Sequence, residues 1–130
     1  MTPLMAALAG AGATSAIGHS INGTAYRTFA YPLHQVKAAS MESLAAMGIE
    51  VDGLLTTEDG EAIVGSASRR KVEIELERIT AKATRIKVIA RNGGLLYDGS
   101  TAAEIVVQTE KALAAMKVMN SAAGGSQRRR

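Results

Sequence analysis

The chain contains no cysteine and no tryptophan, and it has one phenylalanine among 130 residues. The absence of cysteine excludes disulfides, thiolate metal sites and thiol nucleophiles. Aromatic residues make up 3% of the chain, which leaves little for stacking on nucleic-acid bases. With 47% hydrophobic and 21% charged residues, the composition is typical of one folded domain, because disordered chains contain fewer apolar side chains.

The excess of positive charge is confined to the C-terminus. The formal net charge is +3, and Arg128, Arg129 and Arg130 supply all of it, since removing them from the 15 basic residues leaves 12 against 12 acidic ones. Residues 120–130 also contain Gly124 and Gly125, so we expect a flexible basic tail. A contact with a polyanion is the alternative, although nucleic acid is not an expected partner because the rest of the chain is electrically balanced.

Charged residues are also missing from the N-terminal segment, since Arg27 is the first charged residue of the chain. The apolar run at residues 3–13 is shorter than the roughly 20 residues that span a bilayer. Its length suits the hydrophobic centre of an export signal, but no basic stretch precedes it. We therefore expect residues 1–22 to be a leader-like or anchor segment, and one explanation for the missing basic stretch is a natural start upstream of Met1. A small-residue helix packed on a partner helix and a loose terminus are the alternatives.

The region after residue 22 predicts a strand followed by a helix. Gly23 and Pro32 bracket a stretch rich in Thr, Tyr and Phe, which predicts a strand over about residues 24–31. Apolar and small residues then recur at helical spacing, which predicts a helix over about residues 32–47 that is closed by Gly48. These spaced residues are Leu33, Val36, Ser40, Leu44 and Met47.

Four further strands follow. Residues 49–57 and 61–68 flank an acidic turn that contains Asp59 and Gly60, which is typical of a hairpin. Residues 71–78 alternate apolar with charged side chains, and residues 84–91 do the same. One antiparallel register satisfies both faces of this second hairpin, since a slip by one residue would put charges in the core. It opposes Leu76 to Ile86, Ile74 to Val88, Val72 to Ala90, Glu77 to Arg85 and Glu75 to Lys87.

The chain then predicts a second helix. Gly93 and Gly94 end the last strand, and Thr101 with Glu104 matches a capping box, so we expect the helix to start there and to end near Val118. The resulting fold is α+β, a single antiparallel sheet of about five strands with two helices on one face. The order is strand, helix, four strands and helix, in a domain over residues 23–119.

Several segments together have a distinctive order. They are LAGAGATSAIG, TFAYPLHQVKAAS, AAMGIEV, KVEIELERI and TRIKVIA, followed by the last helix, and they cover about residues 9–116. This arrangement resembles a family of small, lipoprotein-like bacterial envelope proteins known only as a domain of unknown function. The resemblance implies export and often a lipid-modified cysteine at the end of the leader, which this chain lacks. It implies no catalytic residues.

Residues able to carry catalysis are few. His19 lies in the N-terminal segment and His34 in the first turn of the predicted helix, and neither has a nucleophile motif nearby. We interpret both as ordinary side chains. The acidic turn offers Glu58, Asp59 and Glu61 without the alternating ligands of a calcium loop, so it predicts a solvated turn and no metal.

Two other patterns also favour structural interpretations. Gly10, Gly12 and Gly18 lack the preceding strand and the Lys-Ser/Thr ending of a phosphate loop, so no cofactor is expected. The row Glu73, Glu75 and Glu77 lies opposite basic residues and predicts cross-strand ion pairs rather than an acid–base pair.

The sequence therefore favours a non-enzymatic domain of the bacterial envelope or periplasm that binds a protein or a ligand. It could associate with the membrane through its N-terminus. The alternatives are a small enzyme with His34 as base and a cytoplasmic adaptor that uses its Arg tail on nucleic acid. We also expect a homo-oligomer or a partner-bound form, because Ile89, one of Leu54 and Leu55, and one of Leu95 and Leu96 should lie at or near the surface.

Overall fold

A computed structural model describes residues 18–19, 23–93 and 96–128, and it contains one antiparallel sheet and two helices. This confirms the expected α+β class. In chain order the elements are β1 (Gly18–His19), β2 (Thr24–Phe29), α1 (Leu33–Ala46), β3 (Glu50–Thr56), β4 (Gly60–Ala67), β5 (Arg70–Thr80), β6 (Ala83–Asn92), β7 (Leu96–Tyr97) and α2 (Gly99–Arg128).

The five longer strands, β2 to β6, are those expected from the sequence, and two strands of two residues each extend the sheet. The spatial order is β1-β2-β6-β5-β4-β3, with β7 also pairing with β6. Strand β2 therefore lies beside β6, far along the chain, while β3 to β6 form consecutive hairpins. The two edges of the sheet therefore differ. Strand β3 is the outermost strand at one edge, and the two-residue strand β1 is the outermost at the other.

The register of the β5–β6 hairpin is the one that the alternating pattern predicts. Leu76 faces Ile86, Ile74 faces Val88 and Val72 faces Ala90, and all six side chains are buried. Both helices pack on this face, so it carries the core. Alternation of side chains across the strands leaves the opposite face with the charged residues.

Helix α1 begins and ends within one residue of the expected positions. Pro32 is its N-cap residue, and Gly48 has a φ of +73°, the left-handed conformation that glycine adopts without a steric penalty. Its buried residues are Leu33, Val36, Ala39, Ser40, Ser43 and Leu44.

The cap and the end of helix α2 both differ from the sequence prediction. The carboxylate of Asp98, not the Thr101 hydroxyl, caps the helix: it accepts the Thr101 backbone N–H at 3.0 Å and the Thr101 hydroxyl at 2.6 Å. These hydrogen bonds hold the pKa of Asp98 below its usual value. The helix continues to Arg128 instead of ending near Val118, so its backbone crosses the domain boundary expected at residue 119. Ala122 and Ala123 favour this extension because alanine has the highest helix propensity, whereas Gly124 and Gly125 oppose it.

The helices contact each other through small polar side chains. The Ser43 hydroxyl donates a hydrogen bond to the Ile105 carbonyl at 3.4 Å, and the Thr109 hydroxyl donates to the same oxygen at 2.7 Å. Ser40 is fully buried, and its hydroxyl has no hydrogen-bond partner among the described residues. Short side chains let the helices approach closely, at the cost of one unsatisfied hydroxyl.

A partly buried ion pair joins the sheet to helix α2. The guanidinium of Arg27 donates to both carboxylate oxygens of Glu110, at 2.6 and 2.9 Å. The Arg27 side chain is 4% exposed and the Glu110 side chain 32% exposed. Arg27 also lies over the Phe29 ring, 5.4 Å from its centroid. The first charged residue of the sequence is thus part of the core rather than of the surface.

Most of the N-terminal segment, and with it the leader, anchor and packing-helix interpretations, lies outside the described residues. Within it the structure describes the backbone of Gly18 and His19, which pairs with Ala25 and Tyr26 of β2.

Candidate functional site

The outer edge of β3 has the strongest characteristics of a binding surface. Within the described part of the chain, β3 is paired with β4 on one side and with no strand on the other. An unpaired edge of this kind offers a row of backbone N–H and C=O groups to another strand. Proteins commonly shield such edges, so an open edge needs a physical account.

The outward backbone groups of this edge belong to Leu54 and Thr56. The Thr57 N–H donates to the Gly60 carbonyl at 2.9 Å, which makes these two residues a hydrogen-bonded pair. Hydrogen-bonded and non-hydrogen-bonded pairs alternate along an antiparallel ladder, so Leu55 also bonds toward β4. Leu54 and Thr56 belong to the alternating pairs that are not hydrogen-bonded, and they therefore direct their N–H and C=O groups away from the sheet.

A β-bulge shapes the apolar part of the same edge. The register shifts between Val51 and Gly53, which leaves Asp52 as the extra residue. Because of this shift, Val51 and Leu54 lie on the helix side of the sheet, while Leu55 lies on the opposite face. Their exposed fractions are 37%, 48% and 56%, respectively, so apolar side chains are exposed on both sides of the strand.

The sequence predicts that one leucine of the pair Leu54 and Leu55 lies at the surface, and both are exposed in the structure. The bulge was not predicted. Gly53 is the available signal, because a glycine within a strand often marks a bulge.

Acidic side chains flank the apolar centre of the edge at both ends. Glu50 and Asp52 precede it, Glu58 and Asp59 follow it, and all four are exposed. No Lys or Arg occurs between Ile49 and Glu61. Among the described residues none of these four carboxylates forms an ion pair, whereas Glu61 on β4 is paired with Lys37 at 2.7 Å. The β3 edge is therefore a strip of uncompensated negative charge around an apolar centre.

The open face of the sheet is charged in rows, as the sequence predicts. Glu77 pairs with Arg85 at 2.5 Å, which confirms one of the expected cross-strand ion pairs. Glu75 faces Lys87 in the register, but these two do not form an ion pair. Partial burial raises the pKa of Glu73, and the neighbouring Glu75 carboxylate raises it further. Because acidic and basic rows lie side by side, the electrostatic potential of this face does not have a single sign.

An open groove of about 320 Å³ lies beside the β4–β5 turn and is lined by Ala67, Ser68, Arg69, Arg70 and Asn92. The Arg70 Nε donates to Asp98 at 3.2 Å, so one of its two arginines is already engaged by the cap of α2. The lining includes the Ser68 hydroxyl but no histidine or carboxylate that could activate it.

The residues considered for chemistry in the sequence remain dispersed. His34 is exposed on α1 and does not line the groove, and Glu58 and Asp59 are exposed in their turn. Across the described residues no three His, Asp or Glu side chains are close enough to hold a metal ion. Gly10 and Gly12 lie outside those residues, and nothing is described of the His19 side chain.

A comparison with models of known protein families found no match, and a search among curated proteins found none either. Neither described helix is both long enough and apolar enough to cross a membrane.

Proposed function

We propose that this chain is a non-enzymatic binding domain of the bacterial envelope that recognises another polypeptide by adding its strand to the sheet at β3. The observation that carries the proposal is the open β3 edge, where outward N–H and C=O groups coincide with exposed Val51, Leu54 and Leu55. In strand addition, main-chain hydrogen bonds supply affinity and side-chain contacts supply selectivity.

The packing of the rest of the sheet supports the choice of this edge. On the other side of the sheet, β2 is followed by β1 and β6 by β7, so partners already occupy part of that edge. The central strands contribute fully buried side chains and have both edges paired. Among the longer strands, β3 alone combines an edge that no described strand pairs with and the absence of buried residues. Within the described part of the chain it is thus the element whose backbone is most available to a partner.

Amide hydrogen exchange tests the proposal on the full chain. The probes are three short blocked peptides of alternating valine and threonine, ending in two lysines, two serines or two glutamates on each side. If strand addition occurs, at least one peptide slows exchange of the Leu54 and Thr56 amides, because their N–H groups become hydrogen-bonded. The amides of β6, which are already paired, should not change.

A matched pair of variants localises the contact. Leu54→Ser and Ile79→Ser make the same substitution at side chains of nearly equal exposure, 48% and 47%, but Ile79 lies on β5. Leu54→Ser should weaken peptide binding and Ile79→Ser should not. Equal effects of both, or no protection of Leu54 and Thr56 by any of the peptides, would refute strand addition at β3.

The location in the envelope is a separate part of the proposal. Its support is the uncharged, leader-like N-terminal segment and the resemblance of the chain to small envelope proteins. Fractionation of cells expressing the chain from its native locus tests it. We expect the protein in the periplasmic or membrane fraction, and its recovery with cytosolic markers would contradict this location.

A further inference from the structure

The charge of the β3 edge specifies the partner more closely than the backbone does. Four exposed carboxylates, Glu50, Asp52, Glu58 and Asp59, lie along the strand and its turn, without any Lys or Arg between Ile49 and Glu61. The centre, from Gly53 to Thr56, carries no charge. An added strand meets negative charge at both of its ends and apolar side chains in its middle.

We infer that the occupant of this edge is an extended segment of a different protein, apolar in its centre and bearing Lys or Arg at both ends. This inference rests on the proposed strand addition and names its partner. The central residues of the segment pack against Leu54 on the helix side of the sheet and against Leu55 on the open face. Its terminal cations face the two acidic pairs, where opposite charges on neighbouring strands are favourable.

The same charges disfavour a second copy of this chain. Pairing β3 with β3 brings four more carboxylates onto one short ladder, whichever direction the second strand takes. In an antiparallel register centred on Leu54, for example, the end of the strand that carries Glu50 and Asp52 lies beside the turn of the second copy, which carries Glu58 and Asp59, and this occurs twice by symmetry. Like charges on neighbouring strands destabilise a ladder. No basic residue of β3 or its turn offsets them.

The chain has an internal contrast that supports this reasoning. On the paired β5–β6 ladder each acidic row lies beside a basic row, and Glu77 pairs with Arg85. On β4, Glu61 is paired with Lys37 of α1. Carboxylates that face a neighbour within the domain are thus partly matched by cations, while those of the free edge are not. A basic partner strand supplies the missing cations.

The test compares the lysine-ended and glutamate-ended peptides by titration against the full chain, with exchange of the Leu54 and Thr56 amides as the readout. We expect the lysine-ended peptide to bind at least about tenfold more tightly at low salt, with the difference shrinking as salt screens the charges. Asp52→Lys should reduce or reverse this preference. Glu42→Lys makes the same change of charge on an exposed residue of α1 and should leave the preference unchanged.

The outcomes separate the inference from the function on which it rests. If the serine-ended or glutamate-ended peptide protects Leu54 and Thr56 as well as the lysine-ended one, the basic partner is wrong and strand addition stands. If a second copy protects them, seen as concentration-dependent sedimentation that Leu54→Ser abolishes, the heterologous partner is wrong. If nothing protects them, both proposals fail.

Discussion

The partly buried ion pair between Arg27 and Glu110 gives the most quantitative test of the fold. The perturbation is Glu110→Gln, which keeps the size of the side chain and removes its charge. The amide retains one acceptor for the guanidinium but turns an N–H group toward the other arginine nitrogen. Arg27 then remains 4% exposed with half of its bidentate contact broken.

The magnitude follows from this geometry. Removing one partner of a fully buried ion pair costs about 3–5 kcal/mol, because the remaining charge is left without compensation. Glu110 is 32% exposed, so solvent screens part of the interaction, and Arg27 keeps its contact with the Phe29 ring. We therefore expect a loss of about 2 kcal/mol in the free energy of unfolding, below the fully buried range.

Urea unfolding followed by far-ultraviolet circular dichroism measures this loss, since the chain has no tryptophan for fluorescence. The control is Glu77→Gln, which removes the same charge from an ion pair of similar length whose side chains are 52% and 37% exposed. It should cost no more than about 0.5 kcal/mol. The double variant Arg27→Met, Glu110→Met should recover much of the lost stability, because apolar groups of similar length can replace a buried pair. The reasoning is refuted if Glu110→Gln costs no more than Glu77→Gln.

Three further substitutions test other parts of the fold. Ser40→Ala should raise the free energy of unfolding by about 1 kcal/mol, because it removes a buried hydroxyl that has no partner among the described residues; a lower midpoint in urea would contradict this. Asp98→Ala should cost about 1 kcal/mol at pH 7, the usual cost of losing a helix cap. Since folding lowers the pKa of Asp98, the ionised carboxylate stabilises the fold at pH values above the ordinary pKa of 3.8, and this stabilisation is lost as the pH falls through the folded-state pKa. The urea midpoints of the variant and the parent should therefore converge in acid. Gly60→Ala should prevent or severely weaken folding, because a Cβ there would lie 1.9 Å from the Leu76 carbonyl oxygen; a circular dichroism spectrum and urea midpoint like those of the parent would contradict it.

The register of the β5–β6 hairpin could be predicted to the residue because two independent patterns agree on it, whereas both strands are longer than predicted. The apolar alternation fixes which face is buried, and the opposed charges fix the register, so a shift by one residue violates both. Helix α1 was predictable for a similar reason, since its apolar spacing ends at a glycine that adopts the left-handed conformation.

The features that were not predicted have different causes. The cap of α2 is a local contact, because Asp98 lies three residues before Thr101, and the preference for aspartate at the N-cap is the signal that was available for it. Other features depend on tertiary contacts that no local pattern reports. The buried position of Arg27 depends on Glu110, which is 83 residues away in the chain. At the candidate site, the sequence indicates surface leucines and acidic residues, but only the strand order shows that β3 is an outer strand.

The absence of buried residues from β3 also bears on how the protein avoids aggregation. With no buried side chain to hold it, β3 is expected to open locally at a lower free energy than the core strands. Opening uncovers the edge of β4, an uncharged and mostly apolar run from Ala62 to Ala67 that contains the fully buried Ile63. Such a run is a template for intermolecular pairing, and acidic residues beside it act against that pairing. We therefore expect the carboxylates of β3 to act as gatekeepers that disfavour pairing between copies of the chain when the outermost strand frays.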